Sequence, residues 1–213
     1  FEPDEMGTPQ GGVISPLLSN IYLHSFDKMF AISGIQGVLI RYADDFVVLV
    51  KNNAERALKL LKEMLKRLDL QMHPEKTRIV NVKDGFDFLG IHFRTKEQTK
   101  KKSRYKIVCA LWPSQRSMKR IKQKIKDKIG RRYFLSLEEL IKELNPIIRG
   151  WNNYQTRSQK HPEPVWFSKL NWFVKERIRI FLKRKYEDPC RGFKRVENNR
   201  AVKCGLLQFG RSW

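Results

Sequence analysis

Apolar positions along the first 93 residues alternate between helical and strand periods. Leu18, Ile21, Tyr22, Phe26 and Met29 recur at helical spacing behind Ser15-Pro16, which reads as an N-cap serine followed by proline at the first helical position. The run "GVLIRYADDFVVLV" (37–50) predicts two short strands that meet at Asp44-Asp45 as a hairpin. Asn52 with Glu55 predicts a capping-box start to a second helix, with Ala57, Leu58, Leu61, Met64, Leu65 and Leu68 on its apolar stripe. "TRIVNV" (77–82) and "FDFLGIHF" (86–93) read as strands joined through "KDG", the turn falling at Asp84-Gly85. The pattern is α+β: an antiparallel sheet with packed helices.

From about residue 94 the helical period dominates. Met118, Ile121, Ile125 and Ile129 form one stripe, Ser136 with Glu139 caps a following helix, and Pro146 is expected to open another. "PVWFSKLNWFVKERIRIFLKRKY" (164–186) predicts a long helix with Trp166, Phe167, Leu170, Phe173 and Phe181 as core. Trp151 and Tyr154 share a stripe with Ile147 and Ile148 and are also assigned to the core. Past Glu187 no period is visible. The expected division is therefore 1–93 mixed α/β, 94–186 basic and all-α, and 187–213 a basic C-terminal tail.

Charge narrows the function. Lys and Arg number 44 against 22 Asp and Glu, a formal net charge of +22. Such a balance points to a polyanion, nucleic acid rather than an anionic membrane surface. No apolar run reaches the ~18–20 residues of a membrane-spanning helix. The three cysteines form no CxxC pair, which supports neither a zinc knuckle nor a disulfide framework and fits a reduced, cytoplasmic setting. Arg104, Lys106, Lys119, Arg120, Lys122, Lys126, Arg131 and Arg132 are the candidate phosphate contacts. Asn153, off the apolar stripe, is a candidate RNA contact. A chain that begins at Phe1 is expected to be a piece of something longer.

Against that basic background the acidic pair stands out. Strands deplete aspartate, and adjacent carboxylates repel. A divalent cation relieves the repulsion, and magnesium takes hard carboxylate oxygens while keeping several waters or phosphates. A hairpin tip places such an ion rigidly. Adjacent strand residues point to opposite faces, so Asp44 is the principal candidate ligand and Asp45 the accessory one. The chemistry such a pair suits is two-metal phosphoryl transfer, which activates a hydroxyl and steadies departing pyrophosphate.

"YADD" between two apolar strands resembles the active-site motif of reverse transcriptases. "GTPQGGVISPLLSNIYLHSFD" (7–27), "HPEKT" (73–77), "FDFLGIHF" (86–93) and "PIIRGWNNY" (146–154) resemble, in order, blocks of group II intron reverse transcriptases and their maturase-specific thumb. The resemblance implies a partial palm over 1–93 and a helical thumb, or domain X, over 94–186. It implies Asp44 and Asp45 as Mg²⁺ acids, Tyr42 near the primer terminus, and Gln10 and Gly11 beside the incoming nucleotide. Lys76 would protonate departing pyrophosphate, and Phe88, Leu89 and Gly90 would form the hairpin that grips the primer. Implied partners are an RNA template, an RNA/DNA duplex, dNTPs and group II intron RNA, in a bacterial cytoplasm.

One departure limits the parallel. The family needs a third acid on an earlier palm strand and a fingers domain, and Glu2, Asp4 and Glu5 occupy a loop position that cannot replace it. The chain alone is expected not to polymerise, and a missing N-terminal half is its expected partner. Two alternatives stay open: a non-catalytic RNA-binding splicing maturase, and a host-adopted or CRISPR-associated reverse transcriptase.

Overall fold

The computed structural model describes residues 12–97, 107–157, 164–187 and 200–210. The chain divides into two compact units, Phe1–Val80 and Asn81–Trp213. Antiparallel strands occur in both, in two small sheets. Among the described residues no helix is long and apolar enough to cross a membrane.

The first unit contains α1 (Ser15–Ile32), β1 (Gly37–Tyr42), β2 (Asp45–Val50) and α2 (Ala54–Lys66). β1 and β2 pair antiparallel with Leu39 opposite Val48 and Arg41 opposite Phe46. Side chains alternate faces along a strand, so Leu39, Phe46 and Val48 share one face. That face packs on buried Phe26 of α1 and on Leu61, Met64 and Leu65 of α2. The two predicted helices thus cover one side of the hairpin. The opposite face, with Val38, Ile40, Tyr42 and Leu49, is exposed.

Several local expectations need correction here. α1 begins one residue early, with Ile14 as its cap and no side-chain capping bond, so Ser15 lies inside the first turn. Its stripe is also displaced: Leu23 and Phe26 are buried, whereas Leu18, Ile21 and Tyr22 are exposed. α2 is entered through Asn53 in a left-handed conformation, again without a side-chain cap, which replaces the expected box from Asn52. Asparagine tolerates that region better than other non-glycine residues. "TRIVNV" pairs in no ladder among the described residues, and Ile79, Val80 and Val82 stay exposed. Its β-branched composition favoured a strand, but the bond from the Thr95 amide of β4 to the Val82 carbonyl at 3.1 Å does not extend into a ladder.

In the second unit β3 (Phe86–Phe88), β4 (Ile91–Glu97) and β5 (Ile107–Pro113) form a three-stranded antiparallel sheet. "FDFLGIHF", expected as one strand, is itself a hairpin bent at Leu89-Gly90, both at positive φ (50° and 77°). β5 also corrects the expectation of an all-helical second half; its apolar run follows a heavily charged stretch that hid it. α3 (Gln115–Ile129), α4 (Leu137–Arg157) and α5 (Pro164–Lys185) carry the main core. The Met118, Ile121, Ile125 and Ile129 stripe is buried as predicted. The Ser136–Glu139 box is present in both directions, at 2.8 and 3.1 Å. Pro146, however, lies inside α4 and starts nothing. Leu144 and Ile148, four residues apart and both fully buried, straddle it. Their packing carries the helix across the bond to Lys142 that proline cannot make.

The segment past 187 does not behave wholly as a tail. Residues 200–210, including the short α6 (Arg200–Lys203), close the helical core with Ala201, Leu206 and Phe209 buried. Three asparagine amides grip its backbone at two points each. Asn145 holds Gly205 and Leu207 (2.9 Å each), Asn152 holds Gln208 (2.8 Å) and Gly210 (3.2 Å), and Asn171 holds both ends of Phe209.

Candidate catalytic turn and nucleic-acid groove

Tyr42 and Asp45 face each other as the last ladder pair of β1 and β2, and Ala43-Asp44 is the two-residue turn between them. Ala43 takes φ = 52°, which costs a side-chain-bearing residue about 1–2 kcal/mol. The turn is held from below by Arg41. Its Nη1 donates to the Ala43 carbonyl at 2.9 Å and to Asn20 Oδ1 at 3.1 Å. Its Nε and Nη2 donate in parallel to Asp27 Oδ1 (2.9 Å) and Oδ2 (2.6 Å). This fork-on-fork geometry is the strongest form of charged hydrogen bond. It holds the Asp27 carboxyl below its usual range and raises Arg41, with burial opposing both shifts.

Asp44, Asp45 and Tyr42 are all exposed. Among the described residues neither aspartate side chain makes a hydrogen bond or ion pair, although the chain carries 44 Lys and Arg. Two adjacent hard carboxylates left free in this way fit a magnesium ion that keeps most of its waters. No cluster of three ligating side chains occurs among the described residues. Lys76 sits exposed in a turn of the same unit, its amide bonded to the His73 carbonyl at 3.2 Å, and is not joined to either aspartate. Gln10 and Gly11 lie outside the described residues, as do Arg104 and Lys106.

In the second unit, four of the predicted cations come together. Lys119, Arg120, Lys122 and Lys126 line a shallow groove with Arg116, Gln123 and Phe173. The buried stripe of α3 fixes their orientation, because lysine and arginine at the intervening positions can only face outward. Lys122 Nζ stands 5.5 Å from the centroid of Phe173, which is partly buried against the core and also forms part of this wall. A cationic groove with an aromatic side suits a phosphate backbone and a stacked base. Arg131 is exposed on the turn after α3. Arg132 departs from the expectation: it pairs with Glu143 at 2.8 Å and also donates to the Lys128 carbonyl, so its guanidinium is committed internally. Glu143 is lowered from the normal carboxylate value, chiefly by the Arg132 bond and then by Lys128.

Within "RGWNNY" the two asparagines divide their work. Asn153 is exposed, while Asn152 is the buried grip on 208–210. Trp151 packs edge-on to Phe167 and Phe209, as a core residue should. Tyr154 is half exposed, and its hydroxyl donates to the Leu89 carbonyl at 2.5 Å, bracing the strained Leu89-Gly90 turn. Sequence reasoning missed Arg41 and Asp27. The available signal was a lone arginine inside an apolar strand, which needs an anion when half buried. Arg116 and Phe173 could have been added to the groove from their places on α3 and α5.

Comparison with known proteins finds two family segments along the chain. The family model described as Reverse transcriptase (RNA-dependent DNA polymerase) matches residues 2–93, and that described as Group II intron, maturase-specific domain, matches 118–198. The chain is 32% identical to Protein YkfC of Escherichia coli (strain K12), over 49% of this chain and 35% of that protein. It is 26% identical to Group II intron-encoded protein LtrA of Lactococcus lactis subsp. cremoris, over 79% of this chain and 41% of that protein. Maturase-like protein 1 of Euglena longa is 27% identical over 68% of this chain and 29% of its own length. The chain thus spans well under half the length of these relatives. Residues 2–93 thus match the reverse transcriptase family and residues 118–198 the maturase-specific domain of group II introns, in that order along a chain that exposes the YADD turn and carries a basic helical groove.

Proposed function

We propose that this chain supplies the metal-binding turn and the duplex-gripping helices of an RNA-directed DNA polymerase of group II intron type, and that the same helices hold intron RNA during splicing. The observation that carries this reading is the braced hairpin tip, with Asp44 and Asp45 exposed and without a side-chain partner among the described residues, in a chain of net charge +22. The palm is assigned to 1–93 and the thumb to 94–186.

Asp44 and Asp45 would hold Mg²⁺, which when bound acidifies the attacking hydroxyl and neutralises pyrophosphate. Tyr42, paired across the ladder from Asp45, offers its ring beside the primer end. Lys76 would donate the proton that pyrophosphate needs on leaving, and Gln10 with Gly11 would border the nucleotide. Lys119, Arg120, Lys122 and Lys126 would contact phosphates, reading A-like duplex shape rather than base edges. Exposed Leu17, Leu18 and Ile21 on α1 suit burial against the remainder of a catalytic domain. Two carboxylates without a third do not complete a two-metal site, so the isolated chain is expected to be inactive.

The test is primer extension on an RNA template with Mg²⁺. The chain alone should give no product, and robust synthesis by it would contradict the need for further acids. In a longer parent that contains this sequence, Asp44→Asn should abolish cDNA synthesis and leave splicing intact. Undiminished synthesis would refute the assignment.

A further inference from the structure

Arg41 lies three residues before Asp44, and its side chain is only 13% exposed. A half-buried guanidinium requires an anion. Of the acids in this unit, those that bear on the turn are Asp27 on α1 and Asp44, three positions on. The structure shows Arg41 paired with the first, with all three guanidinium nitrogens engaged by Asp27, Asn20 and the Ala43 carbonyl. The Ala43 carbonyl carbon is bonded to the nitrogen of Asp44. The Arg41 guanidinium therefore bonds the residue next to Asp44 and, among the described residues, pairs with neither acid of the turn.

We propose that Asp27 sequesters Arg41, keeping Asp44 and Asp45 open to a divalent cation. Asp27 and Arg41 are then positioning residues, since neither needs to touch the metal. The proposal rests on the metal-site reading above and adds the device that keeps such a site from neutralising itself. The device is needed because a guanidinium within about 4–6 Å of a carboxylate competes with any other cation for it. The bidentate pairing explains why the competition is won by Asp27: two parallel bonds in one plane exceed what a freely rotating exposed carboxylate offers. A plain tether between α1 and the hairpin would show the same bonds, so the two accounts must be separated by charge rather than by stability.

The experiment titrates Mn²⁺, a paramagnetic ion suited to carboxylate and water ligands, into the full chain and follows broadening of the backbone amide signals of residues 43–46. Wild type should broaden there. Asp27→Asn keeps the side-chain shape but removes the charge, freeing Arg41 to turn to Asp44 in the adjoining turn. It should need about tenfold more Mn²⁺ for equal broadening. The double variant Asp27→Asn/Arg41→Gln, whose uncharged amide can still donate to the Ala43 carbonyl, should return to within about threefold of wild type, because the competing charge of Arg41 is gone. If the Asp27→Asn chain does not fold, Arg41→Gln alone decides, since its amide keeps a donor for the Ala43 carbonyl without the charge: sequestration predicts binding close to wild type, a tether predicts its loss. Absence of broadening in wild type would overturn the metal-site reading and this inference together. Broadening in wild type with Asp27→Asn unchanged, or with the double variant as weak as the single, would overturn sequestration alone.

Discussion

Replacing Asn152 by alanine should loosen the whole second unit. Asn152 is 4% exposed, donates to the Gln208 carbonyl at 2.8 Å and accepts from the Gly210 amide at 3.2 Å. An intramolecular hydrogen bond contributes about 1 kcal/mol net, and a buried group left without its partner costs about 1–3 kcal/mol. Gln208 and Gly210 are only half buried, so water can partly replace the amide and each loss falls near the lower end. The sum is about 2–3 kcal/mol. With a urea slope of about 2 kcal/mol/M for a domain of this size, the midpoint should fall by about 1–1.5 M. All five tryptophans lie in Asn81–Trp213, and Trp151 packs at 5.1 Å on Phe209, so tryptophan fluorescence reports this unit selectively. Asn153→Ala, next along the same helix but exposed, should stay within about 0.5 kcal/mol of wild type. A midpoint shift for Asn152→Ala as small as that of Asn153→Ala would refute the view that paired amide bonds hold residues 205–210 in place.

Further expectations concern charge and space. Alanine at Lys119, Arg120, Lys122 and Lys126 together should reduce the slope of log affinity against log salt for single-stranded RNA by about 3, from about 0.7 per phosphate contact; an unchanged slope in filter binding would remove the groove from the interface. The folded-state carboxyl of Asp27 lies below its ordinary value of 3.8, so its ion pair stabilises fully above that value and is lost as pH falls through the lower folded value. The stability difference between wild type and Asp27→Asn, measured by urea unfolding, should therefore be constant from about pH 5 to 7 and shrink below about pH 4. Growth of that difference on acidification would contradict the sign. Gly210 has φ = 79°, and a Cβ there would fall 2.5 Å from Phe167 Cγ. Gly210→Ala should thus lower the second unit's thermal midpoint, and an unaltered melt would show that Phe167 yields at little cost.

What the chain could announce was whatever its own periodicity and spacing encode. The hairpin around Asp44-Asp45, the α3 stripe, the Ser136–Glu139 box and the long helix from Pro164 depend on neighbours two to four residues apart, and all four were legible. Motif order carried the family in the same way. Pro146 shows where local rules stop: a start signal by type, it is overridden by Leu144 and Ile148 packing on either side. "TRIVNV" shows the reverse case, strand composition without a strand partner. Arg41 pairs with an acid fourteen positions away, and Asn145, Asn152 and Asn171 meet residues 205–210 across distances of 38 to 62 positions. No spacing rule relates such residues, because their contacts are created only when helices pack. The sequence by itself therefore determined the elements whose signals are local and the chemistry that the residues of the turn offer. Tertiary structure alone decided which charges are spent internally and which, like Asp44 and Asp45, are left free, since a buried ion pair is chosen by the geometry of packing and not by position along the chain.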